Sequence, residues 1–287
     1  MTSPRPSGPV SRYARMNGIG NAILVVDRRG HPALDGVAAR RLHGCDGMAF
    51  DQAMVIGDPR RTGGPPFVTI FNADGSQAGA CGNGARCVAW FLLEGEAADH
   101  VSFETEAGVL PCRRDAPTSF TVDMGPPRLG WHDIPLRDAV PDTSRFRLEP
   151  HAAWMDALGP CGAVSMGNPH AVFFLPAEAP PPDLAHLGPA LEHHPAFPER
   201  ANISLARALA LDRVQLDVWE RGAGLTLACG SAACATVVAG ARIGLLGRRA
   251  TVQLPGGSLA IEWREDDGHV LMGGAVELER RGTLAVD

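Results

Sequence analysis

The sequence has no run of clustered basic residues, no apolar stretch long enough to cross a membrane, and no cysteine spacing of the kind that grips zinc. With a formal net charge of −6 over 287 residues, it lacks the cationic surface that nucleic-acid phosphates or anionic lipids require. The least charged stretch, Leu225 to Ala241, is too short and too rich in Gly and Ala for a membrane span. Residues Met1–Val10 are rich in Pro and Ser and are followed by no apolar core of signal-peptide length. A cytoplasmic protein is therefore expected, with residues 1–12 a loose tail. In that reducing setting the seven cysteines are read as thiols. Cys81 and Cys87 stand six apart and Cys229 and Cys234 five apart, against finger separations of about two to four residues, so no metal is expected.

What is present is ordinary for a soluble globular enzyme: 45% hydrophobic and 20% charged residues, enough for a packed core. One stretch occurs twice. Ala80-Cys81-Gly82-Asn83-Gly84-Ala85-Arg86-Cys87 and Ala228-Cys229-Gly230-Ser231-Ala232-Ala233-Cys234 each set a cysteine before a small residue and an apolar run. The leading cysteines lie 148 residues apart, a little over half of the chain. Two similar lobes are expected, each delivering one thiol, so that the two face each other across one substrate. The lobes are drawn at residues 1–127 plus 275–287 and at residues 128–274, with the chain crossing near Pro126-Pro127.

Each lobe reads as many strands around one helix that is apolar all round and hence buried, an α+β fold. The first lobe has strands at Ile23–Asp27, Ala53–Ile56 and Phe67–Phe71, a helix over Leu34–Leu42, and strands near Val101–Glu104, Gly108–Arg113 and Ser119–Met124. Asp58–Pro66 reads as a loop, and Asn72-Ala73-Asp74-Gly75 as a turn before the Cys81 helix. In the second lobe Gly167-Asn168-Pro169-His170 precedes a strand, Ala171–Leu175, and Pro176–Pro182 is a loop. Val214–Trp219 alternates like a half-buried strand ending at Glu220-Arg221. The Cys229 helix, a hairpin from Val252 to Trp263 and closing strands from Val270 to Leu278 follow.

A cysteine at a helix start meets unpaired N–H groups and the positive end of the dipole, which favour a thiolate and bind anions. Backbone around Gly82-Asn83 and Gly230-Ser231 could cradle a carboxylate. A carboxylate between two such starts, with a thiol on each side, suits inversion of a stereocentre: one thiolate removes the proton, and the other thiol returns one from the opposite face. A lone buried cysteine is more often an inert small hydrophobe, and Cys45, Cys87, Cys112, Cys161 and Cys234 are read so. The matched contexts reverse that reading for Cys81 and Cys229.

These residues carry a resemblance to the diaminopimelate epimerase family. It covers nearly the whole chain from Met16, through Met16–Asn21, Phe50-Asp51-Gln52, Phe71–Gly75 with Cys81–Cys87, Ser165–His170, Arg200-Ala201-Asn202, and Glu220–Gly224 with Ala228–Ser231. The resemblance implies two pseudo-symmetric lobes, each a strand-rich barrel around a central helix, in a homodimer that uses no cofactor. It implies Cys81 and Cys229 as the acid/base thiols, with His170 and Glu220 beside them as polarising groups. It further implies a cradle for diaminopimelate from Asn21, Gln52, Asn72, Gly82, Asn83, Asn168, Asn202, Glu220, Arg221, Gly230 and Ser231. Amides, which both donate and accept, suit a substrate with two ammonium and two carboxylate groups.

The chain departs from the family pattern in three places. Asn17 stands where His is common, Ala22-Ile23 where an acidic residue and Phe are common, and Ala232 where the second anion-binding turn usually has Gly. Two rival readings stand beside the epimerase: a proline or hydroxyproline racemase sharing the two-thiol logic, and a non-catalytic carboxylate-binding or thiol-redox protein. Solvent deuterium entering diaminopimelate rather than proline separates the first rival. Loss of isomerisation in Cys81→Ala and Cys229→Ala separates the second, and oxidation is expected to join the two thiols reversibly.

Overall fold

The computed structural model describes residues 10–79, 81–176, 178, 180 and 182–285. The chain divides into two compact units, residues 1–122 with 274–287, and residues 123–273.

In the first unit the elements run β1 (Val10–Asn17), β2 (Ala22–Asp27), α1 (Gly36–His43), β3 (Gln52–Gly57), β4 (Phe67–Asn72), β5 (Gln77–Ala78), α2 (Gly82–Leu93), β6 (His100–Thr105), β7 (Gly108–Ala116) and β8 (Ser119–Asp123). The ladder runs β1-β2-β3-β4-β6-β7-β8, with pairings antiparallel, parallel, antiparallel, parallel, antiparallel, antiparallel, and with β5 on β4. The C-terminal strand Glu277–Ala285 returns to pair antiparallel with β1. The loose tail expected over residues 1–12 is thus corrected for Val10–Arg12, which that pairing orders; residues 1–9 lie outside the described ones.

In the second unit a short 3₁₀ turn, Ala153–Ala157, precedes β9 (Cys161–Ser165), β10 (Pro169–Phe174), α3 (Leu184–Glu192), β11 (Asn202–Ala210), β12 (Arg213–Glu220), β13 (Gly224–Thr226), α4 (Gly230–Arg242), β14 (Arg249–Leu254), β15 (Gly257–Trp263) and β16 (Val270–Ala275). Its ladder, β9-β10-β11-β12-β14-β15-β16 with β13 on β12, repeats the same senses of pairing in the same order. The repeat reaches the helix caps: Asp35 caps α1 and Asp183 caps α3, while Cys81 and Cys229 stand at the N-caps of α2 and α4. The fold is therefore mixed α/β with an internal duplication.

Why the sheet wraps follows from the helices. α2 packs against β1, β2 and β3 and also against β6 and β7, so strands from both halves of its ladder reach one helix. α4 packs likewise against β9, β10 and β11 and against β14 and β15. A helix touched from both ends of a ladder has no wet face, so nearly all of its residues must be apolar or small. In α4, Ala232, Ala233, Ala235, Val237, Val238, Ala239 and Gly240 are all buried. Each fully buried valine contributes about 1.5–3 kcal/mol of hydrophobic stabilisation. The small residues set the approach: a Cβ on Gly162 of β9 would stand 3.2 Å from the Ala239 Cβ, and one on Gly240 would stand 2.6 Å from a Leu246 methyl.

Candidate active site

Matching places in the two ladders carry matching polar residues. Gln52 opens β3 opposite Asn72, which closes β4; in the second unit Asn202 opens β11 and Glu220 closes β12. Both strand pairs then lead through a short strand into a cysteine-capped helix.

In the first unit Cys81 has an extended backbone, φ −148° and ψ 102°, and its Sγ accepts the N–H of Gly84 at 3.1 Å. The Asn83 amide oxygen accepts from Arg86 Nη2 at 3.2 Å, and the Arg86 side chain is fully buried inside α2. Gln52 Nε2 donates to Asn72 Oδ1 at 3.2 Å, and Asn72 Nδ2 donates to Ser76 Oγ at 3.0 Å. Asn21 Nδ2 and the Ala22 N–H both donate to Asp51 Oδ2, at 3.0 and 2.8 Å, so the residue before Gln52 anchors the start of β2. The loop between β1 and β2 holds Ile19 at φ 56° and Gly20 at φ 88°, and Asn17 Oδ1 accepts the Gly20 N–H at 2.7 Å. A left-handed β-branched residue is costly, and this loop lies against α2: a Cβ on Gly18 would stand 3.3 Å from the Asn83 Cβ. Asn17 therefore works as the loop's own clasp.

In the second unit the candidate residues form one hydrogen-bonded line. His170 Nε2 meets Asn168 Oδ1 at 2.9 Å, Asn168 Nδ2 donates to Ser231 Oγ at 3.4 Å, and Ser231 Oγ stands 3.5 Å from Cys229 Sγ. Beside the thiol stands Glu220, whose charge bears on Cys229 and whose Oε1 accepts the Thr226 hydroxyl at 2.6 Å. Since Asn168 Oδ1 only accepts, His170 Nε2 carries the proton, and its Nδ1 is buried with no partner among the described residues. Burial, aided by the charge of Arg221, pushes the His170 imidazole down to about 3, so it is neutral. Alongside this line, Asn202 Nδ2 donates to the Pro169 carbonyl at 3.0 Å and Asn202 Oδ1 accepts the Arg221 N–H at 2.9 Å. Arg221 Nη1 donates to the Glu199 carbonyl at 2.9 Å.

At Cys229 the pull of the helix start toward a thiolate is outweighed. Burial, and then the Glu220 charge, push that thiol well above its usual range, against the downward pull of Ser231 and Ala232. Burial likewise raises the Glu220 carboxyl, against the downward pull of Thr226 and Cys229. The physical reason is solvent: a dipole end lowers a thiol only as far as it outweighs lost hydration. Cys87 is fully buried in the core, its thiol pushed up to about 12 by burial, whereas Cys45, read as a buried hydrophobe, is exposed. His170, placed before its strand, lies inside β10.

Ala232 sits where the first unit has Gly84; the Gly84 N–H caps the Cys81 sulfur, whereas Cys229 makes no such side-chain cap, so the two helix starts differ at this point. Thr226 was not legible as a site residue. The glycines at 222 and 224 signal the turn after Glu220, but only the pairing of β13 on β12 returns Thr226 to that carboxyl. Among the described residues, no group of three or more His, Cys, Asp or Glu is placed to hold a metal ion. No helix among them is long and apolar enough to cross a membrane.

Comparison with known proteins places this fold. The family model for diaminopimelate epimerase matches residues 13–130 and 162–278. Diaminopimelate epimerase of Methylocella silvestris is 58% identical over 266 residues, covering 92% of this chain and 91% of that protein. That of Methylorubrum populi is 51% identical over 283 residues, covering 96% and 95%. Among solved structures, a predicted epimerase from Pseudomonas aeruginosa superposes with a TM-score of 0.69 at 18% identity, covering 96% of this chain and 100% of that one. A hydroxyproline epimerase from Agrobacterium vitis gives 0.62 at 13% identity, covering 97% and 92%. The fold is thus shared with a predicted epimerase and a hydroxyproline epimerase that are each under 20% identical to this chain, and the chain is an isomerase of the epimerase type. It belongs to the diaminopimelate epimerase family.

Proposed function

We propose that this protein interconverts LL- and meso-2,6-diaminopimelate by proton transfer at one α carbon, a step of lysine biosynthesis. The observation that carries the reading is the duplicated cysteine cap, Cys81 on α2 and Cys229 on α4, within a chain 58% identical to a diaminopimelate epimerase. One cysteine, as thiolate, takes the α proton; the other, as thiol, returns a proton to the opposite face of the carbanion, and the configuration inverts. The helix-start N–H groups around Gly82-Asn83 and Gly230-Ser231 stabilise the negative charge that spreads onto the carboxylate. Cys229, which keeps its proton in this environment, is the donor of the resting enzyme. Asn21, Gln52, Asn72, Asn168, Asn202 and Arg221 hold the two zwitterionic ends of the substrate. His170, Glu220 and Ser231 tune the second thiol and its surroundings.

The chemistry runs without an imine. All 26 cationic side chains are arginine and the sequence has no lysine, so no side chain can hold a pyridoxal aldehyde covalently. Seven cysteines without a disulfide suit a reducing cytoplasm, and the family resemblance supports a homodimer, which sedimentation at enzyme concentrations would check.

The decisive experiment incubates the protein with LL-diaminopimelate, and separately with L-proline, in deuterium oxide and follows the α proton. Deuterium is expected in diaminopimelate, with loss of net epimerisation in both Cys81→Ala and Cys229→Ala. Incorporation into proline alone would sink the reading.

A further inference from the structure

Glu192 ends α3 with 3% of its surface exposed. That is a poor place for an acid: the C-terminal end of a helix favours cations, and a buried carboxylate is costly unless its oxygens are filled. Glu192 fills them with three donors from two separate segments. Its Oε2 accepts the indole N–H of Trp219 at 2.7 Å. Its Oε1 accepts the backbone N–H of Gly222 at 2.9 Å and an Arg200 guanidinium N–H at 3.1 Å.

Two of these donors bracket Glu220 and Arg221, and the third lies two residues before Asn202. Arg200 holds φ 60°, a left-handed conformation that a non-glycine residue keeps only where its surroundings over-determine it. The ion pair to Glu192 supplies that determination. One helical turn back, Gly188 leaves room for the Trp219 ring, since a Cβ there would lie 2.3 Å from Trp219 Cδ2. α3 thus grips the indole by its face at Gly188 and by its N–H at Glu192. A plain ion pair would need Arg200 alone; the two further N–H groups are those of the turn that carries Glu220.

We propose that Glu192 is a positioning residue: it locks the Trp219–Gly222 turn to the Arg200–Asn202 turn and so sets where the Glu220 carboxyl, the Arg221 guanidinium and the Asn202 amide stand. Its kinetic consequence rests on the epimerase reading above.

Glu192→Gln tests it, because the amide keeps the shape but must turn a donor toward one of three donors. In that variant kcat/KM for LL-diaminopimelate is expected to fall about 10- to 100-fold. Amide hydrogen exchange is expected to rise in residues 199–203 and 219–224 while α4 and the β14–β15 hairpin keep their protection. Trp219→Phe removes the indole donor, so the amide introduced at position 192 has room in the double variant. E192Q/W219F is therefore expected to be more active than the product of the two single losses. Activity of E192Q within about twofold of the wild type overturns the proposal, as do strictly multiplicative losses in the double variant. Exchange that rises evenly across the unit also overturns it, assigning Glu192 to stability alone. If the wild-type protein moves no deuterium into diaminopimelate, the functional reading fails separately. The exchange of residues 219–224 then decides for Glu192: a selective rise supports the lock, and none overturns it.

Discussion

Thr226 Oγ1 donates to Glu220 Oε1 at 2.6 Å, and the Glu220 charge bears on the Cys229 thiol. The hydroxyl pins the acid so that its charge bears on the sulfur, adding to burial in keeping Cys229 protonated. Glu220→Gln removes that charge and leaves the burial, so the thiol should shift down. Alkylation of Cys229 by iodoacetamide at pH 8, read by peptide mass mapping, is expected to run several-fold faster in E220Q than in the wild type. Epimerisation is expected to slow about 100-fold or more. Equal alkylation rates would mean that Glu220 exerts no electrostatic hold on the thiol.

His170 makes stability depend on pH. Its pKa is about 3 in the folded chain against an ordinary 6.5. Between these the unfolded chain binds the proton and the folded chain does not, so falling pH favours unfolding. The contribution is whole above pH 6.5 and is lost as pH drops toward 3, amounting to about 2 kcal/mol by pH 5. Urea melts at pH 7.5 and 5.0 check this, with His170→Asn expected to lose that part of the slope. A variant with the full wild-type slope would place the titration elsewhere.

Gly84 and Ala232 occupy equivalent first-turn positions but are not interchangeable. A Cβ on Gly84 would lie 2.5 Å from Met54 Sδ, so Gly84→Ala should cost about 1–3 kcal/mol and disturb the 3.1 Å N–H···S bond to Cys81. Ala232→Gly keeps its N–H and should cost at most about 1 kcal/mol of helix propensity, with activity within about twofold of the wild type. Denaturant melts and initial rates check the pair. A larger loss from Ala232→Gly than from Gly84→Ala would refute the assignment of Met54 as the cause.

The elements that the sequence made legible are those whose pattern is local. α2 and α4 could be read because a run with almost no charge and small residues on every side has no stable place but the interior, and because a cysteine followed by glycine marks where each begins. β4 with its Asn72–Gly75 turn and the β14–β15 hairpin carry their turn chemistry with them. The Val10–Arg12 end of β1 was illegible because it pairs with Glu277–Ala285, at the other end of the chain, and nothing within those residues states that pairing. α3 was missed because Gly188 and Pro189 stand in its middle, where they argue against a helix. Gly188 is there because Trp219 lies against it, a reason no local pattern contains.

The sequence by itself determined that two cysteine-led helices with almost no charge exist, that no lysine or basic surface is available, and, through its likeness to one family, which chemistry to look for. Those facts depend on residue type and on order along the chain. Only the tertiary structure decided the protonation of Cys229, the neutrality of His170, and the place of Glu192 beneath the Glu220 turn. Each of these depends on what surrounds a group once water is gone, and burial and partners drawn from distant segments are properties of the packed chain.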